Sequence, residues 1–121
     1  MPGIVRYYGT SAADTNQTVS APGSGIGDGT ATNIRLRVRA VFVAYSAAPT
    51  QTGVIITLDS GLGAGYDTVL LTGTANARYT YWTPSDGGDL PIFNDDQIDV
   101  LAPQAGGTIT SSVSIYCEVP V

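Results

Sequence analysis

The sequence predicts an all-β protein, and three features of its 121 residues support this prediction. Thr, Val, Ile and Tyr, which favour strands, are abundant. Polar residues that favour helices are scarce, because Lys is absent and Glu118 is the single Glu. Fifteen Gly and seven Pro divide the chain into short segments. We therefore predict one domain, a single antiparallel β-sandwich or jelly roll of about 7–8 strands.

The first thirty residues differ in composition from the rest of the chain. Residues 20–30 are almost all small or turn-forming, and a free chain of this kind is flexible. Apolar side chains are spaced along residues 1–30 at Ile4, Val5, Tyr7, Tyr8, Val19 and Ile26. Residues 1–30 therefore form either a loose tail or an extended N-terminal arm that becomes ordered on a neighbouring subunit. In the second interpretation these six side chains anchor the arm, and 31–121 is the sandwich domain.

The strongest strand signal is the alternation of apolar and charged residues over 34–39. Side chains of a strand point alternately to opposite faces, so Arg35, Arg37 and Arg39 share one face. We extend this strand to residue 45 with unbroken alternation. The prediction assigns Ala40, Phe42 and Ala44 to the buried face and Val41, Val43 and Tyr45 to the arginine face.

The three arginines form a row, because alternate residues of a strand lie about 6.6–6.8 Å apart. Three interpretations of this row stay open. In the first, the arginines are solvated and form ion pairs within the sheet with Asp99 or Glu118. In the second they bind carboxylates of a partner protein, and in the third they bind nucleic acid. The net charge of -5 argues against nucleic acid or an anionic membrane as the main partner.

Shorter strands follow, each bounded by turn-forming residues. They are predicted over residues 54–58, 66–71, 78–82, 90–93, 97–101 and 108–119. In the last of these, Ile109, Val113, Ile115 and Cys117 have the same parity and are expected to face the core. Cys117 is then a buried, inert thiol.

The residue inventory argues against enzymatic function. Without His there is no Ser-His-Asp triad, and without Lys there is no Schiff base or Ser-Lys dyad. Five Asp between residues 86 and 99 raise two alternatives, a calcium site and a carboxylate glycosidase. The spacing lacks a calcium-loop pattern, and Asp in turns bonds local backbone amides. We expect no catalytic residue, no metal and no cofactor.

An aromatic cluster raises a binding alternative. Tyr79, Tyr81 and Trp82, with Tyr45 and Tyr66, lie near Asp residues in the sequence, a combination that can bind sugar rings. The same residues also suit a core Trp with tyrosines at a sheet face or subunit interface. No targeting segment is recognised, and no run approaches the ~18–20 apolar residues of a membrane helix.

Six segments form a pattern of strands and turns: RVRAVF (37–42), AAPT (47–50), IITLDSG (55–61), YDTVL (66–70), WTP (82–84) and DDQIDV (95–100). Together they resemble small β-sandwich virion proteins of tailed bacteriophages. The resemblance begins at Arg35 and lies in strand and turn patterns, without catalytic signatures. It implies a non-enzymatic, multicopy particle component, made in the host cytoplasm and located in the virion.

We therefore expect a phage virion structural protein, specifically a capsid decoration (cement) protein that binds across major capsid subunits. Its partners are then the major capsid protein or other virion subunits, together with further copies of the chain in a homo-oligomer. Two alternatives stay open: a neck, tail or baseplate component, and a glycan-binding module used in adsorption. The residues expected to bind partners are Ile4, Val5, Tyr7, Tyr8, Arg35, Arg37 and Arg39.

Overall fold

The structure is a computed structural model, and it describes residues 3–12, 15–22, 36–49, 53–60, 63–84, 90–92 and 96–119. Within these residues the chain forms nine strands and a single turn of 3-10 helix, Ala64–Tyr66. The all-β prediction is confirmed. The strands are β1 Gly3–Thr10, β2 Gln17–Pro22, β3 Leu36–Tyr45, β4 Ile55–Asp59, β5 Thr68–Thr72, β6 Tyr79–Trp82, β7 Leu90–Ile92, β8 Gln97–Ala102 and β9 Ser111–Val119.

The strands form two antiparallel sheets. The five-stranded sheet has the order β1-β9-β3-β6, and β7 pairs with the beginning of β3. The four-stranded sheet has the order β2-β8-β4-β5. Buried side chains from both sheets form one hydrophobic core, so the sheets make the predicted sandwich. The jelly-roll alternative is not confirmed.

The core consists mainly of β-branched side chains at alternating positions of the central strands. In β9, Val113, Ile115 and Cys117 are fully buried, as their shared parity predicts. Val41 and Val43 of β3 lie beside them, and the four-stranded sheet closes the core from the other side. Its fully buried side chains include Ile56, Ile98 and Val100.

A β-bulge in β3 reverses the predicted faces of that strand. The pairing of β3 with β9 shifts register between Val38 and Ala40. The extra residue inverts the alternation that follows, because a bulge places two residues opposite one. Val41, Val43 and Tyr45 are therefore buried, and Phe42 is exposed. Our assignment of these side chains to the opposite faces was wrong.

The N-terminal segment supplies an edge strand to each sheet. β1 pairs with β9 over its whole length, from Gly3 opposite Val119 to Thr10 opposite Ser112. β2 pairs with β8, from Gln17 opposite Ala102 to Pro22 opposite Gln97. The described part of residues 1–30 thus belongs to the sandwich, and an extended arm is not confirmed. Because β1 and β2 were not predicted as strands, the described part of the chain has nine strands instead of the predicted number of about 7–8.

Gly53 and Gly73 lie where two neighbouring backbone segments approach each other closely. A Cβ placed on Gly53 would overlap the carbonyl oxygen of Gly73. The amide of Gly73 in turn donates to the carbonyl oxygen of Val54 at 2.7 Å. These contacts join the entry of β4 to the exit of β5, and the first of them requires a residue without a side chain.

Candidate binding face of the five-stranded sheet

The arginine row lies on the outer face of the five-stranded sheet. Arg37 and Arg39 are exposed, and Arg35 lies outside the described residues. Nη1 of Arg39 is 3.3 Å from Oε2 of Glu118 on the neighbouring strand β9, which is the in-sheet pairing that the sequence suggested for that acid. The Arg39 side chain remains 47% exposed, so this ion pair contributes at most about 1 kcal/mol to stability.

Four of the anchor residues lie on β1 and divide between its two faces. Val19 of β2 packs against the core, and Ile26 lies outside the described residues. Ile4 and Tyr8 point outward and are 65% and 67% exposed. Val5 and Tyr7 have the opposite parity, and Tyr7 packs against the core. The structure thus leaves Ile4 and Tyr8 available to a partner and turns Val5 and Tyr7 inward.

The aromatic cluster of the sequence also divides. Trp82 packs against the core, and buried Tyr45 donates its hydroxyl hydrogen to the carbonyl oxygen of Pro103 at 3.0 Å. Tyr66 is exposed in the 3-10 helix between β4 and β5. Only Tyr79 and Tyr81 of this cluster remain on the outer face of the five-stranded sheet, 57% and 68% exposed.

The bulge adds a third ring to this pair. The ring centroid of Phe42 lies 6.3 Å from that of Tyr79, with the ring planes 13° apart, and 6.5 Å from that of Tyr81. Sequence alternation assigned Phe42 to the core, so this cluster was missed. The alternation of Tyr79 and Tyr81 in β6 was the one signal that indicated it.

Most of the exposed large apolar side chains lie together on this one face. Of the eight such side chains in the described residues, six project from the outer face of the five-stranded sheet. Their registers place them on all four strands of the order β1-β9-β3-β6. We call this surface the aromatic face; it consists of Ile4, Tyr8, Phe42, Tyr79, Tyr81 and Tyr116.

Short side chains separate the large ones. Across the strands, Tyr8 lies opposite Ser114, Ser114 opposite Phe42, and Phe42 opposite Tyr81. Ser114 is only 4% exposed although it faces outward, because its larger neighbours cover it. The aromatic face therefore has relief, with a depression at Ser114 between Tyr8 of β1 and Phe42 of β3.

Two further arginines border the aromatic face and are held in place. The guanidinium of Arg6 lies 4.5 Å from the ring centroid of Tyr8, and its Nε donates to Oγ of Ser114 at 3.1 Å. The guanidinium of Arg78 lies 5.2 Å from the ring centroid of Tyr79. Backbone carbonyl oxygens of residues 45 and 46 accept hydrogen bonds from Arg78 at 3.2 and 3.1 Å. Such contacts of a cation with a ring are attractive and restrict the guanidinium.

Carboxylates gather instead at the four-stranded sheet. Oδ1 of Asp99 accepts hydrogen bonds from Ser20 at 2.6 Å and from Gln97 at 2.8 Å. Burial raises the pKa of the nearby Asp59, and the charges of Asp67 and Asp99 raise it further. Among the described residues, no group of three or more acidic, His or Cys side chains is placed to hold a metal ion.

The Asp-rich stretch of the calcium alternative is only partly described. Asp86, Asp89 and Asp95 lie outside the described residues, whereas Asp96 and Asp99 lie before and within β8. Cys117 is buried as predicted, and burial raises the pKa of its thiol to about 11.

Comparison with known protein families and with curated proteins finds no match. In the described part of the chain, no helix is long and apolar enough to cross a membrane.

Proposed function

We propose that this protein is a structural component of a bacteriophage virion that binds a neighbouring virion protein through the aromatic face. Within that class we propose a capsid decoration (cement) protein that stabilises the head by binding across major capsid subunits. The observation that supports an adhesive role is the concentration of six exposed large apolar side chains on one sheet face. The resemblance of the sequence to small β-sandwich virion proteins of tailed bacteriophages supports placing that role in a virion.

A face of this composition is suited to protein contact. Single exposed apolar side chains are common on soluble proteins, but a contiguous group with polar neighbours marks an interaction surface. Tyrosine is enriched in protein interfaces, because its ring buries apolar area while its hydroxyl stays hydrogen-bonded. Four of the six side chains are tyrosines. Because two sheets share the core beneath them, the rings are presented on a rigid support.

Weak contacts suffice for this role when many copies act on one shell. A further contact between copies, as expected of a homo-oligomer, converts later binding steps into intramolecular ones. The contribution of each copy then needs to be only a few kcal/mol, which a small group of aromatic anchors can supply.

The test is the position and copy number of the chain in particles. We expect quantitative mass spectrometry of purified virions to find hundreds of copies, and electron microscopy to place them on the head. Six or twelve copies on the tail axis would replace the decoration role by the neck, tail or baseplate alternative. A protein that is absent from the particles, or that turns over a substrate, would contradict the proposal.

Surface substitutions test the face itself. Deleting residues 1–30 is unsuitable, because it removes an edge strand from each sheet. Tyr81→Ala on the aromatic face has a matched control in Tyr66→Ala, since the two side chains are 68% and 66% exposed. We expect Tyr81→Ala to lower particle affinity about tenfold or more. Equal effects of both substitutions would contradict a role of the face.

The glycan-binding alternative is favoured by one observation, the nearly parallel rings of Phe42 and Tyr79. Sugar rings stack on exposed aromatic faces of this kind. A glycan array distinguishes this alternative, with Tyr79→Ala expected to abolish any signal and Tyr66→Ala to preserve it. Trp82 is an unsuitable probe residue because it packs against the core.

A further inference from the structure

Within the described residues, the charged side chains are segregated between the two sheets. All four described arginines, Arg6, Arg37, Arg39 and Arg78, lie on or immediately beside strands of the five-stranded sheet. The described aspartates lie on or beside strands of the four-stranded sheet, and Glu118 is the one described acid of the five-stranded sheet. The aromatic face thus has a cationic border although the whole chain carries a net charge of -5.

Two of these arginines have no carboxylate partner among the described residues. Arg6 donates through Nε to Ser114, and Arg78 donates to two backbone carbonyl oxygens. The terminal guanidinium nitrogens of Arg6 make no hydrogen bond within the described part of the chain. They remain free to form the paired hydrogen bonds by which arginine binds a carboxylate.

The rings beneath these guanidinium groups prepare them for binding. Tyr8 and Tyr79 restrict Arg6 and Arg78 in the free protein, so less side-chain entropy is lost when a partner binds. The surrounding apolar side chains exclude water from a bound carboxylate and strengthen its attraction to arginine. A carboxylate with apolar neighbours therefore complements this surface better than an isolated charge or an uncharged ring.

From this charge complementarity we infer that the aromatic face binds an acidic protein surface, in which carboxylate side chains alternate with apolar ones. This inference rests on the proposed function, since it specifies the partner of the same face. Arg6 and Arg78 pair with carboxylates of the partner, and the rings of Tyr81 and Phe42 cover its apolar groups. Nucleic acid is disfavoured, because the excess of acids repels a long polyanion.

A peptide probe tests the partner chemistry without the particle. The full chain is titrated with a synthetic peptide of repeated Glu-Glu-Leu triplets, and the matched control peptide has Gln in place of Glu. We expect the acidic peptide to bind and the Gln peptide to bind at least about tenfold more weakly. Raising the salt from about 50 mM to about 300 mM is expected to weaken the acidic peptide alone.

Substitutions locate the binding on the face. Arg6→Gln is expected to weaken binding of the acidic peptide about tenfold. Arg6→Lys is expected to restore part of the loss, because lysine keeps the positive charge but cannot form the paired hydrogen bonds of a guanidinium group. Tyr81→Ala is expected to weaken it, and Tyr66→Ala to leave it unchanged. Circular dichroism confirms that each variant is folded.

Four results would overturn the inference: no binding of the acidic peptide, equal binding of the Gln peptide, tighter binding of duplex DNA, or tighter binding of a neutral oligosaccharide. None of these four results decides where the chain lies in the particle, which is measured separately. Particle copy number therefore distinguishes failure of this inference from failure of the proposed function.

Discussion

Removing the hydroxyl of Tyr7 is expected to stabilise the protein, whereas removing that of Tyr45 is expected to destabilise it. Both side chains face the core side of the five-stranded sheet, and burial raises the pKa of both phenols. Their hydroxyls differ in one respect. Tyr45 donates to the carbonyl oxygen of Pro103, while the buried hydroxyl of Tyr7 has no partner among the described residues.

The magnitudes follow from this difference. A buried polar group without a partner costs about 1–3 kcal/mol, and the lower end applies to Tyr7 because its ring is only partly buried. Tyr7→Phe should therefore raise the free energy of unfolding by about 1 kcal/mol, or Tm by about 4 °C for this chain length. Tyr45→Phe should lower the free energy of unfolding by about 0.5–1.5 kcal/mol, since the substitution removes the hydrogen bond to the carbonyl oxygen of Pro103.

Urea unfolding followed by circular dichroism measures both values, and an unchanged m-value shows that the two variants unfold from the same native state. The comparison is internal, because both substitutions remove one oxygen atom from the same type of side chain. A Tyr7→Phe variant that loses as much stability as Tyr45→Phe would refute the reasoning, since the Tyr7 hydroxyl would then have a stabilising partner.

Three further substitutions or measurements test other parts of the structure. Asp59→Asn should stabilise the protein at pH 7, because the raised pKa means that ionised Asp59 is disfavoured in the folded state. In urea titrations the gain should shrink as the pH falls through the ordinary aspartate pKa of about 3.9 and vanish below about pH 3, where the aspartate is protonated in both states. Gly53→Ala should lower stability by at least about 2 kcal/mol through overlap with the Gly73 carbonyl oxygen, and a Tm within a degree of the parent would contradict that contact. The Cys117 thiol, whose pKa is about 11, should resist iodoacetamide at pH 8 until urea unfolds the chain, and rapid alkylation of the folded protein would show that it is accessible.

Composition and local alternation predicted the fold class and much of the core. The parity of Val113, Ile115 and Cys117 was sufficient to identify the buried face of β9, because that face continues without interruption through these residues. Residues 36–45 were likewise predicted as strand, although the faces after the bulge were assigned wrongly. Alternation failed at the bulge after Val38, since a bulge depends on pairing with β9 rather than on local composition.

The binding face was harder to predict for the same reason. Phe42 reaches the outer face only because the bulge inverts the alternation, and Arg6 borders it only because β1 pairs with β9. The separation of that pair along the sequence leaves no local signal. Composition alone indicated tyrosines at a sheet face, and strand pairing determined that Tyr79 and Tyr81 are there while Trp82 is not.

The pairing of β1 with β9 also determines when the protein can fold. During synthesis the ribosome releases β1 first, but its hydrogen-bonding partner leaves the exit tunnel more than a hundred residues later, as the pairing of Gly3 with Val119 shows. β2 likewise waits for β8. Neither sheet is complete until β8 and β9 have emerged, so folding waits for these late strands and is expected to be slow, as in other proteins dominated by distant contacts. In the interval Val5 and Tyr7 lack the strand that covers them in the folded protein, and an exposed apolar strand of this kind is prone to aggregation.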